Sequence, residues 1–119
     1  MSIFALPFGV PNTTRQVVAG AGATTLVTVA SNAPSAFVVG ILVVNNTGGA
    51  LTPVLDLYDG TTAFIIRDNT SIADQAREVV TLPEFIQMRP GDVLRITGGT
   101  GLSVFVSTVT PQISKAGAQ

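Results

Sequence analysis

Residues 36–45 read AFVVGILVVN, and this run is the strongest guide to the fold. It is apolar at both odd and even positions, which is typical of a strand at the centre of a sheet with both faces buried. Gly40 stands in the middle of the run and indicates a bulge or a close approach of another backbone segment. The run therefore predicts the central strand of a β-sheet.

Shorter strand patterns lie on both sides of this run. They are rich in Val, Ile and Thr, which suit a pleated surface, and Gly, Pro, Asn and Asp separate them. The segments are residues 16–19, 24–30, 52–58, 61–67, 77–82, 84–88, 93–97 and 102–109. Regular short strands of this kind predict an all-β fold: an antiparallel two-sheet sandwich, jelly-roll-like, of about eight strands.

Three short patterns predict the connections between strands. Asp59-Gly60 between two strand patterns predicts a hairpin with a type I′ turn, in which both central residues have positive φ. Pro90-Gly91 predicts a type II turn, with Asp92 bonded to its own backbone. Ser71 followed by Asp74 resembles a capping box, which would start one helical turn.

The chain has 119 residues, which predicts one domain because chains divide only at ~250–300 residues. We expect an N-terminal arm over residues 1–15, a β-sandwich over 16–110 and a polar C-terminal tail over 111–119. Pro7, Gly9 and Pro11 disfavour regular structure in the arm. Its apolar residues suit a tail across its own domain or an arm on a neighbouring subunit, and we expect an interface at Phe4, Leu6 and Phe8.

Composition excludes several classes of chemistry. The chain contains no Cys, His or Trp, so it has neither a Ser–His or Cys–His nucleophile pair nor an imidazole or thiolate zinc site. Six dispersed cations do not form a nucleic-acid footprint. We therefore expect no catalytic, cofactor-binding or metal site and no nucleic-acid partner.

Charged residues make up only 11% of the chain, against roughly 25% in ordinary soluble domains. The net charge of −1 gives little repulsion between copies. This composition predicts that part of the surface is covered by self-association or assembly. We expect no membrane partner, because residues 36–44, the longest apolar run, are short of the ~20 residues of a spanning helix. Residues 1–11 do not resemble a signal peptide, since Pro7 interrupts them and no basic start precedes them.

Two carboxylates close in sequence, Asp56 and Asp59, raise the question of acid–base catalysis or of a cation shared with Asp68 or Asp92. Positions 56 and 59 of a strand point to opposite faces, and the turn alone accounts for Asp59. Most Phe residues are predicted to lie in the core, which leaves Tyr58 as the one ring for a sugar platform. The arginines are interpreted as interface cations or as parts of solvated strand faces: Arg67, Arg77, Arg89 and Arg95.

One resemblance covers the last two thirds of the chain. The order VVGILVVNNTGG (38–49), LDLYDGTTAFII (55–66), MRPGDVLRIT (88–97) and GLSVFVSTV (101–109) resembles small β-sandwich virion proteins of tailed bacteriophages. The resemblance implies a non-enzymatic capsid decoration, or cement, protein. Such a protein would bind the outer surface of the major capsid shell, often as a trimer, and its partners would be the major capsid protein or other virion proteins.

The Pro-Gly-Asp turn at residues 90–92 also resembles that of cupins, which place it beside a histidine-lined metal site. Because this chain contains no histidine, it lacks that metal site and shares only the turn with cupins. Two other interpretations stay open: a tail, neck or fibre component of a phage, and a carbohydrate-binding module that uses Tyr58. An enzyme acting through Asp56 is the weakest interpretation.

Overall fold

The computed structural model describes residues 9–82 and 84–111, and in these ranges it contains nine strands and no helix. The strands are β1 (Val10–Val17), β2 (Ala23–Thr28), β3 (Ala36–Asn45), β4 (Val54–Tyr58), β5 (Ala63–Arg67), β6 (Ala76–Val79), β7 (Ile86–Met88), β8 (Val93–Thr97) and β9 (Ser103–Thr110). None of these elements can cross a membrane as a helix. The predicted interface residues Phe4, Leu6 and Phe8 lie outside the described residues.

The strands form two antiparallel sheets, which confirms the predicted sandwich, with nine strands in place of about eight. One sheet has the order β1-β9-β3-β6, and β7 also pairs with β3. The other sheet has the order β2-β8-β4-β5. β6 pairs with residues 42–45 of β3 and β7 with residues 36–38, so the two short strands follow one another along the same strand. The chain crosses repeatedly from one sheet to the other along its length.

Aliphatic side chains fill the space between the two sheets. Val38, Val43 and Ile41 of β3 are at most 2% exposed, as are Leu55 and Leu94 of the facing sheet. Burial of each side chain of this size contributes about 1.5–3 kcal/mol. The core is therefore built from branched aliphatic residues, in agreement with the composition.

β3 is the central strand that the sequence predicts. It pairs with β9 on one side and with β6 and β7 on the other. Its register with β9 shifts between Val38 and Gly40, which confirms the bulge. The prediction of two buried faces is wrong, however, because only alternate residues are buried and the rest are partly exposed. The described residues form two layers, so nothing among them covers the outer face of β3.

The predicted arm is wrong from residue 10 onward, because Val10–Val17 forms β1 and pairs along its whole length with β9. Pro11 lies within this strand, opposite Val109. Proline is tolerated here because β1 is an edge strand, whose outward N–H groups need no partner strand. Whether residues 1–8 and the tail beyond residue 111 form an arm and a tail stays a prediction.

The turns follow the predictions in part. The β4–β5 hairpin is confirmed, but only Gly60 of its loop has positive φ, at the first central position, where a type II′ turn needs glycine. Gly91 has a φ of 92° and the Asp92 N–H donates to the Arg89 carbonyl, as a type II turn requires. The helical turn predicted from Ser71 is wrong, because the following residue, Ile72, forms a β-bridge with Leu51.

Candidate assembly surface

All four described phenylalanines lie outside the buried core. Phe64 is 51% exposed and Phe85 is 68% exposed, while Phe37 and Phe105 are partly exposed. The prediction that most Phe residues belong to the core is therefore wrong for these four. Large aromatic side chains on a surface dominate the energetics of interfaces, and their positions mark candidate contact surfaces.

The outer face of the five-stranded sheet is apolar, and we call it the outer apolar face. Arg15, Phe105, Leu42 and Val79 lie side by side across four strands, because each is the register partner of the next. Val109 pairs with Phe37 two rows away, beyond the row of Ser107 and Gly40, and Val44 pairs with Ser103 in the row on the other side. The residues that define the outer apolar face are Phe37, Leu42, Val44, Val79, Phe105 and Val109.

An antiparallel sheet that faces water on one side normally carries polar residues there. The outer apolar face departs from this pattern at its centre, since Leu42 lies between Phe105 and Val79, which is 72% exposed. Contiguous apolar patches of this kind mark protein–protein contact sites. The outer apolar face is therefore a candidate contact surface.

The only charges on the outward positions of these five strands are positive. Arg15 lies at the β1 margin in the row of Leu42, and Arg77 lies at the β6 margin beside Val44. No Asp or Glu occupies an outward position of these strands. A partner surface that complements the outer apolar face is therefore itself apolar, with hydrogen-bond acceptors or carboxylates opposite Arg15 and Arg77.

A second apolar surface lies at the side of the sandwich where β5 and the β6–β7 connection meet. We call it the lateral groove, and it has a volume of about 400 Å³. Phe64 of β5 is the register partner of Leu57, is 51% exposed, and lies two residues before Ile66 of the groove. The residues that line the lateral groove are Ile66, Thr81, Leu82, Glu84, Phe85 and Ile86.

The groove side is held together by a buried arginine. Arg67 at the end of β5 is 6% exposed, and its Nε and Nη2 donate to the Glu78 carboxylate of β6 at 2.7 and 3.0 Å. The same guanidinium donates to the carbonyls of Pro53, Asp68 and Thr70. The hydrogen bonds from Arg67 lower the pKa of Glu78. Arg67 therefore belongs neither to a solvated strand face nor to an interface between molecules. It joins the two sheets of one chain.

Asp56 is placed for structure and not for acid–base chemistry. It is 4% exposed, and its Oδ1 accepts a hydrogen bond from Arg95 Nε at 2.9 Å. The Arg95 guanidinium lies 4.0 Å from the centroid of the Tyr58 ring. One face of that ring is therefore covered by a cation, which disfavours the sugar platform for which Tyr58 was the candidate.

The remaining acidic candidates hold turns. Asp59 Oδ1 accepts hydrogen bonds from the backbone N–H groups of Thr62 and Thr61 at 2.7 and 2.9 Å, and these bonds lower the pKa of Asp59. Asp92 Oδ2 accepts from the Arg89 N–H at 2.8 Å, which confirms the predicted turn. Across residues 9–82 and 84–111, no three acidic side chains gather as ligands for a cation.

Sequence reasoning missed both apolar surfaces, although the signal for one of them was present. The two-sided apolar pattern of β3 was interpreted as burial inside one chain, and the same pattern is expected when a second molecule covers the outer face. For the lateral groove the signal is weaker, because Phe64 and Phe85 follow ordinary strand patterns. Together the fold and these surfaces define a β-sandwich with two apolar regions that no other part of residues 9–82 and 84–111 covers.

Comparison with known proteins adds little to this description. No family model matches the chain, and no curated protein matches it. Its fold is similar to two crystal structures of a pentameric capsid protein isolated from metagenomic phage sequences, one of them solved by iodide SAD phasing. The identities are 21% and 20%, and the TM-scores are 0.49 and 0.48. The matches cover 87% of this chain and 64% and 65% of those proteins, so the chain spans just under two thirds of their length.

Proposed function

We propose that this chain is a non-enzymatic structural protein of a phage virion, and that it decorates the capsid by binding the outer surface of the major capsid shell. The observation that carries the proposal is the outer apolar face, where Phe105, Leu42 and Val79 lie side by side with no second layer over them among the described residues. The low content of charged residues and the sequence resemblance to virion proteins support the same role.

The outer apolar face suits a large, regular partner. It is part of a sheet whose central strand β3 is fixed on both edges, so its side chains are held in place before binding. Such preorganisation lowers the entropic cost of association. Because a shell presents many equivalent sites, modest contacts by linked copies act together. Arg77 at the β6 margin would set the orientation against a carboxylate of the shell.

The test is co-sedimentation of the purified full chain with shells of the major capsid protein from the same genome. We expect Leu42→Asp and Phe105→Asp to lower shell affinity at least tenfold, which corresponds to about 1.4 kcal/mol. The matched control is Thr25→Asp, which adds the same charge at an exposed position of the other sheet. Phe105→Ser repeats the test with a smaller change to the sheet, and unfolding curves check that each variant is folded.

Two outcomes would overturn the proposal. If the wild-type chain does not bind shells, or if Thr25→Asp weakens binding as much as Leu42→Asp, the outer apolar face is not the shell contact. Binding to purified tails and not to shells would favour the tail, neck or fibre alternative. Cryo-electron microscopy of the particle gives the position directly, because decoration requires density for this sandwich on the outside of the lattice.

We also propose that Phe4, Leu6 and Phe8 contact a neighbouring subunit, and that the protein is a homo-oligomer, with three copies as the expected number. The three residues alternate in sequence, so an extended segment presents them on one side. Deletion of residues 1–8 leaves the described strand β1 intact. We expect it to weaken subunit association or shell binding, and unchanged mass together with unchanged binding would contradict this role.

A further inference from the structure

The two lateral sides of the sandwich differ in a way that suggests how copies meet. On one side, β9 is the only described strand that pairs with β1, and all eight residues of β1 are exposed. Val10 and Val17 are 55% and 60% exposed. β1 thus projects beyond the core as a strand with one free edge.

The opposite side carries the lateral groove and a second free edge. Among the nine strands that the structure describes, β5 pairs with β4 alone, and Phe64 and Ile65 are more than half exposed. The Arg67–Glu78 ion pair holds β5 next to β6, so both sheets end on this side. Each lateral side therefore combines exposed apolar residues with unpaired strand edges.

Each edge is protected against pairing only in part: Pro11 lies near the start of β1, and the register of β5 with β4 shifts at Ile66. Edge strands commonly carry lysine, proline or inward-pointing charges, or are covered by a loop. In β5, residues 63–66 carry no charge and no proline, and the charge of Arg67 is engaged by Glu78. In β1, Pro11 lies near the start, and Arg15 is the single charge. Edges left open in this way indicate that another strand uses them.

Charge complementarity favours a contact between unlike sides. Arg15 is the only charged residue of β1 and β2, and Glu84 is an exposed carboxylate at the lateral groove. Neither forms an ion pair within the residues that the structure describes. A contact between two β1 strands would bring Arg15 towards its own copy, whereas the groove offers it a carboxylate.

Arg15 and the start of the β6–β7 connection lie at nearly the same height along the strands. Arg15 is in register with Phe105 and, through it, with Leu42. The β6–β7 connection contains Glu84 and begins beside Ile41, the neighbour of Leu42 in β3, because the Val80 N–H donates to the Ile41 carbonyl at 2.9 Å. Two copies placed side by side at the same height therefore bring β1 of one to the groove of the other.

We propose that β1 of one copy lies in the lateral groove of a second copy, along the free edge of β5, with Arg15 beside Glu84. The apolar residues of the groove and Phe64 are covered in this contact, and backbone groups of β5 gain a partner strand. The contact joins two different surfaces, so it is repeated from copy to copy and closes into a ring when the rotation allows. The inference deepens the proposed role in virion assembly, on which it rests for its biological purpose.

The experiment measures the mass of the purified full chain by sedimentation velocity over a concentration series, with no shells present. We expect the wild-type chain to assemble, and Arg15→Glu and Glu84→Arg each to raise the dissociation constant at least tenfold. The double variant Arg15→Glu with Glu84→Arg restores the pair in reverse and is expected to assemble as the wild type does. Phe64→Asp is expected to abolish assembly, and Phe64→Ser checks that result with an uncharged side chain.

The control is Val79→Asp, which alters an exposed apolar residue of the outer apolar face that is not among the lining residues of the groove. The proposal is overturned if the wild-type chain is a monomer at its highest soluble concentration, if the double variant does not regain assembly, or if Val79→Asp dissociates the oligomer. These variants distinguish assembly of copies from binding to the shell. Phe64→Asp should lose assembly and keep shell binding per copy, whereas Val79→Asp should keep assembly and lose shell binding.

Discussion

Asn45 shows how a single buried polar side chain organises the loops at one end of the sandwich. It is 0% exposed, and its Nδ2 donates to the carbonyls of Gly49 and Ile72 at 2.9 and 2.8 Å. Its Oδ1 accepts from the N–H and the hydroxyl of Thr47 at 3.1 and 2.8 Å. The amide therefore ties the loop after β3 to the segment before β6.

We predict that Asn45→Ala lowers the free energy of unfolding by about 1–3 kcal/mol, since it leaves buried groups without their partner. Chemical denaturation measures the loss. The control is Asn46→Ala at the exposed neighbouring position, for which surface substitutions predict a change within about 0.5 kcal/mol. Equal losses in the two variants would show that the network of Asn45 is not what holds these loops.

The ion pair between Arg67 and Glu78 gives stability a definite dependence on pH. Hydrogen bonds from Arg67 lower the pKa of Glu78 below its usual 4.5 in the folded chain. The unfolded chain binds its proton first as the pH falls, so the stabilisation is present above about pH 4.5 and is lost below it.

We predict that the unfolding midpoint in urea falls as the pH is lowered through this range, and that Glu78→Gln makes the fall shallower. The variant is also less stable at pH 7, because the buried guanidinium of Arg67 loses its carboxylate partner. Some slope remains in it, since backbone hydrogen bonds also lower the pKa of Asp59. If the unfolding midpoint of Glu78→Gln changes with pH in parallel with that of the wild type, Glu78 is not a source of the pH dependence of stability.

At the scale of the elements, the sequence predicted strands well where alternation or turn chemistry determines the structure locally. β3 and β8 have the predicted bounds, and the turn before β8 has the predicted hydrogen bonds. The sequence-based predictions were wrong where the structure of a segment depends on which strands lie next to it. Pro11 is acceptable only because β1 is at an edge, and edge position is a property of topology that no local pattern contains.

β1 and β9 are paired along their length but differ in what anchors them. β9 buries Val104, Val106 and Thr108, whereas β1 buries none of its residues. Backbone hydrogen bonds without buried side chains open at low free-energy cost. β1 is therefore held to the sheet by its backbone and by the constraint of the chain.

We predict from this difference that the amides of β1 exchange with deuterium much faster than the amides of β3. Hydrogen exchange is measured at concentrations low enough to keep the chain monomeric, since a partner on β1 would slow exchange there. At high concentration the protection of β1 should rise while that of β3 is unchanged. Equal protection of the two strands in the monomer would contradict the view of β1 as a loosely anchored edge.

At the scale of the whole molecule, composition predicted a covered surface but could not locate it. A low charge content limits repulsion everywhere, whereas the apolar residues are concentrated on the outer apolar face and at the lateral groove. Their location depends on which face of β3 points inward. The sequence pattern of β3 is the same whether its second face is buried inside one chain or covered by a second chain. Phe37 and Phe105 therefore looked like core residues in the sequence, and the sheet directs them outward.

The solubility of the free protein follows from the same distribution. With a net charge of −1 and an isoelectric point near 5.0, copies repel each other weakly, and we predict that contact through the outer apolar face limits solubility at neutral pH. Leu42→Asp and Thr25→Asp each add one negative charge, but only Leu42 lies on that face. Leu42→Asp should raise the saturation concentration, measured by precipitation with polyethylene glycol, several-fold more than Thr25→Asp does. Equal gains would mean that net charge alone governs solubility, and the outer apolar face would then have no special part in bringing molecules together.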